Sequence, residues 1–376
     1  MRVGVIAYPL DRPVRGGVDR YIHRLAREFM ASPRAADFVW IHGKRWEPGH
    51  PMAGHEQAIL PEHGLRGLFV REGWGKRNTG ALDVLWGPYF GVLPGPFAKV
   101  MTVHDLYEMT ARDGPLLQSL RFRAVTRRMV KRSDYIMVDS EASRKQLLDV
   151  FGYPQERAVR VPLGVDPPPA QATSRNEAAA ELRRAHGWPF DARVILFVSN
   201  IRERKDTPTL ARAFAALRER LPAARLLLFG VRSTGWSGLE RTLRDLGLAH
   251  SNPGDPVQFP FDLSDEALER CYAGADVLAL SSIFEGFGIS PLEAMARGVP
   301  TVMTRGGALE EIGAGASLLV PVGDHVALAA ALEKVLTDEG TAAELVRAGR
   351  ERAAQFEWAT CARETLAVLE RAANRA

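Results

Sequence analysis

Cysteine is nearly absent from this 376-residue chain, with Cys271 and Cys361 its two examples. That excludes a disulfide framework, and no cluster of Cys and His has the spacing of a structural zinc site. A reducing cytoplasm is the expected setting. No apolar stretch approaches the ~20 residues needed to span a bilayer. The opening MRVGVIAYPLDRP stops at Pro9 without a small-residue cleavage pattern, so it predicts a buried first strand rather than a signal peptide. No repeat of ~20 to 50 residues recurs, which removes solenoids and propellers.

What is present is a globular composition of 46% hydrophobic and 25% charged residues, too apolar for disorder. The net charge of +4 suits an anionic ligand but does not by itself point to nucleic acid. The length fits about two domains of ~150 to 200 residues. Short runs of Val, Ile, Leu and Phe alternate with segments of helical period, the pattern of βα units around a parallel sheet. In the first half, Val3–Ile6, Phe38–Ile41, Val84–Trp86, Lys99–Val103, Tyr135–Val138 and Ala158–Val161 read as strands. Val18, Ile22, Leu25 and Phe29 mark one face of a helix. After Pro167, Pro168 and Pro169 comes a polar, Ala-rich stretch that reads as a linker, placing a boundary near residue 168. The pattern then restarts with Val194–Val198, Arg225–Phe229, Val257–Phe259, Val277–Leu280, Thr301–Met303 and Ser317–Val320. A helical tail is expected from about Glu344 to the end. Two doubly wound α/β domains follow, whose ligands are expected at the carboxyl ends of the strands.

The segment 281–300, SSIFEGFGISPLEAMARGVP, follows one such strand. Glu285 and Glu293 are separated by seven residues, with Gly286 and Gly288 between them. Glycines beside a helix amino terminus aim backbone N–H groups at anions, and the helix dipole adds to that attraction. Ser290 and Glu293 also match a capping box, with Pro291 in the first turn and Gly298 as the stop, so Glu293 has a purely structural reading too. That box leaves Glu285 unexplained, which favours a site.

A second cluster, VSNIRERKD at 198–206, again joins a strand to a helix. Arg204 and Lys205 there could neutralise a departing diphosphate, although most adjacent basic pairs are merely solvated. No Asp, any residue, Asp triplet occurs, so the commonest carboxylate arrangement for holding a divalent ion against a nucleotide diphosphate is missing. Basic residues are expected to do that work, with no metal and no cofactor. Gly16 and Gly17 permit close backbone approach after the first strand, although a Gly pair is an ordinary loop feature. His104 and Asp105 stand at a strand end, either facing a ligand or completing a hydrogen-bond network.

Together these residues resemble the retaining glycosyltransferases of family 4, with the GT-B architecture. The resemblance rests on Glu285 and Glu293 with EGFG and EAMARGVP in register, on ALEEIG at 308–313 and on LLVPVGD at 318–324. It implies two facing Rossmann-like domains: an acceptor-binding domain over 1–168, a donor-binding domain over 169–356, and a closing helix over about 357–376 that crosses back to the first domain. It implies that Glu293 binds the nucleotide ribose and Glu285 faces the donor sugar. Phe287, Gly288 and Ile289 would lie near sugar and diphosphate, Arg204 and Lys205 on the diphosphate, Gly16 and Gly17 opposite it, and His104 by the sugar. Many members carry Arg where this chain has Asn200, and Gly near Phe261, which leaves the donor open. The implied reaction is metal-independent hexosyl transfer with retention, from a nucleotide-diphospho-sugar to a saccharide or lipid-linked acceptor in polysaccharide biosynthesis. NIRERKD resembles bacterial mannosyltransferases, making GDP-mannose the expected donor and UDP-glucose the alternative. A sugar-nucleotide epimerase and a non-catalytic nucleotide-sugar sensor are the rival classes. The acceptor is expected to be set by loops including 43–80.

Between Leu117 and Arg132 a helix is expected to carry six basic residues beside Leu117, Leu120 and Met129. It reads either as a solvated face on a core-packed helix or as a peripheral contact with an anionic membrane.

Overall fold

The computed structural model describes the chain apart from residues 12–15, 44–45, 47–53, 60–80, 90, 112–115, 170–173, 261–263 and 376. It divides into two compact units, Met1–Gly164 with Phe356–Ala376, and Val165–Gln355. Phe261 and most of the expected acceptor stretch 43–80 lie outside the described residues.

The first unit contains strands β1 (Val3–Ile6), β2 (Phe38–His42), β3 (Gln57–Ile59), β4 (Val84–Gly87), β5 (Ala98–Val103), β6 (Tyr135–Val138) and β7 (Ala158–Arg160). Between them lie helices α1 (Gly17–Ala31), α2 (Tyr107–Thr110), α3 (Leu116–Arg132) and α4 (Glu141–Phe151). All neighbours pair in parallel, in the order β3-β2-β1-β4-β5-β6-β7. Val3 sits opposite both Phe38 and Val84, so β1 is central. Every residue of β1, β2, β4 and β6 is buried, as a parallel sheet covered on both faces requires. Helix α1 turns Tyr21, Ile22, Leu25 and Phe29 inward. Helix α4 is capped by the Ser140 hydroxyl, which accepts from Ser143 N at 3.0 Å.

The second unit repeats the plan with β8 (Arg193–Val198), β9 (Ala224–Phe229), β10 (Val257–Gln258), β11 (Val277–Leu280), β12 (Thr301–Thr304) and β13 (Leu318–Val320). Its helices are α5 (Arg175–Ala185), α6 (Thr207–Arg220), α7 (Trp236–Asp245), α8 (Asp265–Gly274), α9 (Ile289–Ala296), α10 (Ala308–Gly313), α11 (His325–Thr337) and α12 (Glu339–Ala353). The strand order is β10-β9-β8-β11-β12-β13. The chain therefore reverses direction across the sheet between β8 and β11, as it does between β1 and β4 in the first unit. Such switch points open a crevice at the carboxyl ends of the two strands.

The final helix, α13 (Trp358–Ala373), belongs to the first unit, where it packs on α1, β4, β5 and β6. It buries Trp358, Cys361, Thr365, Val368 and Leu369. Gly164 permits this, because a Cβ there would lie 2.3 Å from the Trp358 nitrogen. The helical tail expected from Glu344 onward is thus two helices, broken between Ala353 and Trp358 where the chain passes between units. The short edge strand β3 lacks the apolar run of its neighbours and was not anticipated.

Candidate active site

In the second unit the loops after β8 and β11, neighbours at the switch point, are stitched together. Ile283 N donates to the Arg204 carbonyl at 2.8 Å, and the Ser281 hydroxyl donates to the Lys205 carbonyl at 2.8 Å. These bonds bring the basic pair of one loop to the carboxylate of the other. The Lys205 Nζ donates to Glu285 Oε1 at 2.5 Å and Oε2 at 2.6 Å, and both residues are buried. The Ser282 hydroxyl adds a bond to Oε1 at 2.7 Å. Arg204 Nη1 lies 3.9 Å from Oε2. Burial alone would raise the Glu285 pKa, but Lys205 and Arg204 reverse that and hold it below the usual carboxylate range.

The backbone holds Glu285 just as firmly. Its N–H donates to the Gly306 carbonyl at 3.1 Å and its carbonyl accepts from Ala308 N at 3.0 Å, forming a parallel bridge to the loop after β12. Gly307 there has φ 65° and would place a Cβ 2.6 Å from the Glu285 oxygen, so glycine is required. Lys205 is followed by Asp206, which holds the left-handed backbone at φ 44° as it opens α6. A non-glycine residue in that region stores strain, and here it lies beside the buried cation.

Past Glu285 the chain reaches α9, whose amino end is Gly288 at φ 110°, without a side-chain cap. The helix begins two residues earlier than a Ser290 cap would place it, so Ser290 and Glu293 form no capping box. Ser290 lies inside the first turn, and the Glu293 carboxylate instead accepts from the Tyr272 hydroxyl of α8 at 2.9 Å. Arg297, ion-paired with Glu269, stacks over the same Tyr272 ring at 5.3 Å. First-turn N–H groups of a helix lack intrahelical partners and attract anions. Phe287 is buried, while Gly288 and Ile289 are partly exposed. The structure thus gathers Arg204, Lys205 and Glu285 in contact, with Phe287, Gly288, Ile289 and Glu293 on the same turn and helix. Asn200 stands apart from that contact: it is exposed, and its side-chain oxygen accepts from Val231 N at 3.3 Å.

In the first unit His104 follows β5 and is buried. Both ring nitrogens meet acceptors, Nδ1 at 2.7 Å from Asp139 Oδ2 and Nε2 at 3.0 Å from the Pro88 carbonyl. The edge of Tyr21 covers the ring at a centroid distance of 4.8 Å. Burial would lower the His104 pKa, yet the Asp139 carboxylate outweighs it and the histidine lies above its ordinary value. Asp139 is itself raised by burial. With Asp139 at one nitrogen and the Pro88 carbonyl at the other, the ring is fixed in orientation. Gly16 and Gly17 are exposed at the start of α1. Asp105 caps its own turn, accepting from Tyr107 N at 3.2 Å.

Sequence reasoning missed Ser282, Tyr272, Asp139 and Asp206. Asp139, directly after β6, carried a usable signal as an acid at a strand end beside the His104 strand. Tyr272 carried none. Among the described residues no group of three or more His, Cys, Asp or Glu side chains is placed to hold a metal ion.

Two family models match the chain, glycosyltransferase family 4 over residues 15–168 and glycosyl transferases group 1 over residues 179–352. A D-inositol 3-phosphate glycosyltransferase of a Nocardioides species is 28% identical, the match covering 97% of this chain and 88% of that protein. One from Kineococcus radiotolerans is 32% identical over 65% of this chain and 58% of its own length, so that match spans little more than half of the relative. Among solved structures, sucrose-phosphate synthase from Thermosynechococcus elongatus superposes with a TM-score of 0.75 at 22% identity, covering 98% of both chains. WaaG, a glycosyltransferase involved in lipopolysaccharide biosynthesis, gives 0.74 at 21%, covering 98% of this chain and 99% of its own. These likenesses place the fold in the GT-B class.

Proposed function

Because the chain belongs to the family 4 glycosyltransferases, whose group 1 model matches its second unit, we propose that it moves a hexosyl group from a nucleotide-diphospho-sugar to a hydroxyl of a saccharide or lipid-linked acceptor, with retention of configuration and without a metal. The observation that carries this reading is the convergence of Arg204 and Lys205 on Glu285 at the β8/β11 switch point, beside the amino end of α9. Cations locked in place before the ligand arrives stabilise a leaving diphosphate without reorganising as charge develops. Glu293, oriented by Tyr272, binds the ribose hydroxyls. The first-turn N–H groups of α9 and the backbone of Phe287 and Gly288 line the sugar diphosphate, and Glu285 faces the sugar. The first unit takes the acceptor.

Retention follows if the acceptor oxygen attacks from the face that the diphosphate leaves. Glu285 is bound by Lys205 and Ser282, so it is a poor covalent nucleophile. GDP-mannose is the donor proposed from the sequence and UDP-glucose its competitor. The names of the curated relatives add a phosphorylated inositol to the acceptors worth testing.

The test is a transfer assay with GDP-mannose and UDP-glucose against inositol phosphate, simple saccharides and a polyprenyl-linked sugar, with chelator present and the product linkage read by NMR. An α-linked product from one donor agrees with the proposal. A β-linked product contradicts retention. Free nucleotide with an epimerised sugar points to an epimerase, and binding without turnover to a sensor.

A further inference from the structure

Helix α3 has two dissimilar faces. Phe122, Val125, Met129 and Val130 turn inward and pack in the first unit's core. Its outward face carries Leu117, Leu120, Arg121, Ala124, Arg127, Arg128 and Lys131, spaced three or four apart along one stripe. Leu116, Leu117 and Leu120 are 56%, 81% and 52% exposed. The helix contains no acidic residue. Of its six basic side chains, Arg123 is consumed internally, donating to the Glu108 carbonyl at 2.7 Å and the Ala111 carbonyl at 3.1 Å. Arg121, Arg127, Arg128 and Lys131 are exposed, and among the described residues none of these four has an ion pair.

The direction of α3 matters. It ends beside the amino end of the sheet, where Asp134 N donates to the Lys99 carbonyl at the start of β5 at 2.8 Å. Its 17 residues run about 25 Å, so its first turn lies toward the carboxyl end of β5. The exposed leucines therefore sit at the end of the unit that holds His104, and the arginines run away from them along the helix.

We infer that the outer face of α3 is a docking surface for an anionic lipid bilayer, with Leu116, Leu117 and Leu120 entering the acyl boundary and Arg121, Arg127, Arg128 and Lys131 lying against the headgroups. A solvated helix face gains nothing from three neighbouring bare leucines, whereas an interfacial helix needs apolar insertion and unneutralised cations together. Among the described residues no helix is long and apolar enough to cross a membrane, so the contact is peripheral. This surface stands independently of the reaction assigned to the chain. Its placement brings the carboxyl edge of the first unit to the lipid surface.

The test is co-sedimentation of the whole protein with vesicles of phosphatidylglycerol and phosphatidylcholine mixed, and of phosphatidylcholine alone, at low and high salt. Binding is expected only to the anionic vesicles and is lost at high salt. Each basic residue near such a surface is worth roughly a five-fold change in partitioning, so R127Q/R128Q should weaken binding about 25-fold. L117S/L120S should weaken binding at low salt, with an unchanged far-ultraviolet spectrum and melting temperature showing that it folds. No binding of the wild type, or equal binding to neutral vesicles, overturns the inference. So does loss of the leucines that leaves vesicle binding unchanged but abolishes a concentration-dependent dimer, since a second copy would then be the occupant.

Discussion

Lys205 and Glu285, eighty positions apart, meet as a buried pair with the ammonium 2.5 and 2.6 Å from the two carboxylate oxygens. Breaking one side of a buried pair leaves a charge uncompensated, at a cost of about 3–5 kcal/mol. Lys205→Met should cost that much in denaturant unfolding, and the Glu285 pKa should rise from its lowered position, because Arg204 and Ser282 alone would then oppose burial. Lys205→Met with Glu285→Leu should recover much of the stability and none of the activity. A double variant as unstable as the single one would show that the pair is not the source of the loss.

Tyr272 holds the Glu293 carboxylate through one hydrogen bond of 2.9 Å. Hydrogen bonds to charged groups contribute about 1.5–3 kcal/mol. Tyr272→Phe should lose that much stability and weaken nucleotide binding roughly ten-fold, equivalent to ~1.4 kcal/mol. Glu293→Ala should abolish binding. Titration calorimetry on both variants separates orientation from direct contact.

Gly307 combines φ 65° with a Cβ position 2.6 Å from the Glu285 carbonyl oxygen. Gly307→Ala should cost at least about 1–2 kcal/mol for the left-handed backbone alone. The clash should also displace Glu285. The expected result is a larger fall in kcat than in nucleotide affinity, measured by steady-state kinetics and calorimetry. Unchanged kcat would mean that the bridge to Glu285 does not position it.

His104 has a folded pKa above its ordinary value, so its protonation stabilises the native state. That contribution is fully present below the unfolded histidine value near ~6.5 and is lost as pH rises through the raised folded value. The melting temperature should therefore fall across that window on the alkaline side, and His104→Gln should flatten this part of the profile. An unchanged slope in the variant would mean that another group carries it.

Much of this was legible because parallel strands buried on both faces read as unbroken apolar runs. Val3–Ile6, Tyr135–Val138 and Val277–Leu280 have the bounds expected of them. The edge strand Gln57–Ile59 was not legible, since its three residues have no such run. Ser290 and Glu293 misled for a physical reason: the positive φ of Gly288 starts α9 early and leaves the serine inside the turn. The contacts of Glu285 were illegible in kind. That its neighbours are Lys205 and Ser282 depends on how two loops are tied across β8 and β11, which residue pattern alone does not encode.

We propose that the second unit holds a nucleotide diphosphate at the Arg204, Lys205 and α9 site without a metal. It is tested most directly by calorimetric titration of GDP and UDP into the protein with excess chelator, in the wild type and in Lys205→Ala. Binding of one nucleotide by the wild type and its loss in the variant is the predicted result. Binding of neither, binding that requires added magnesium, or equal binding by both proteins would contradict the account.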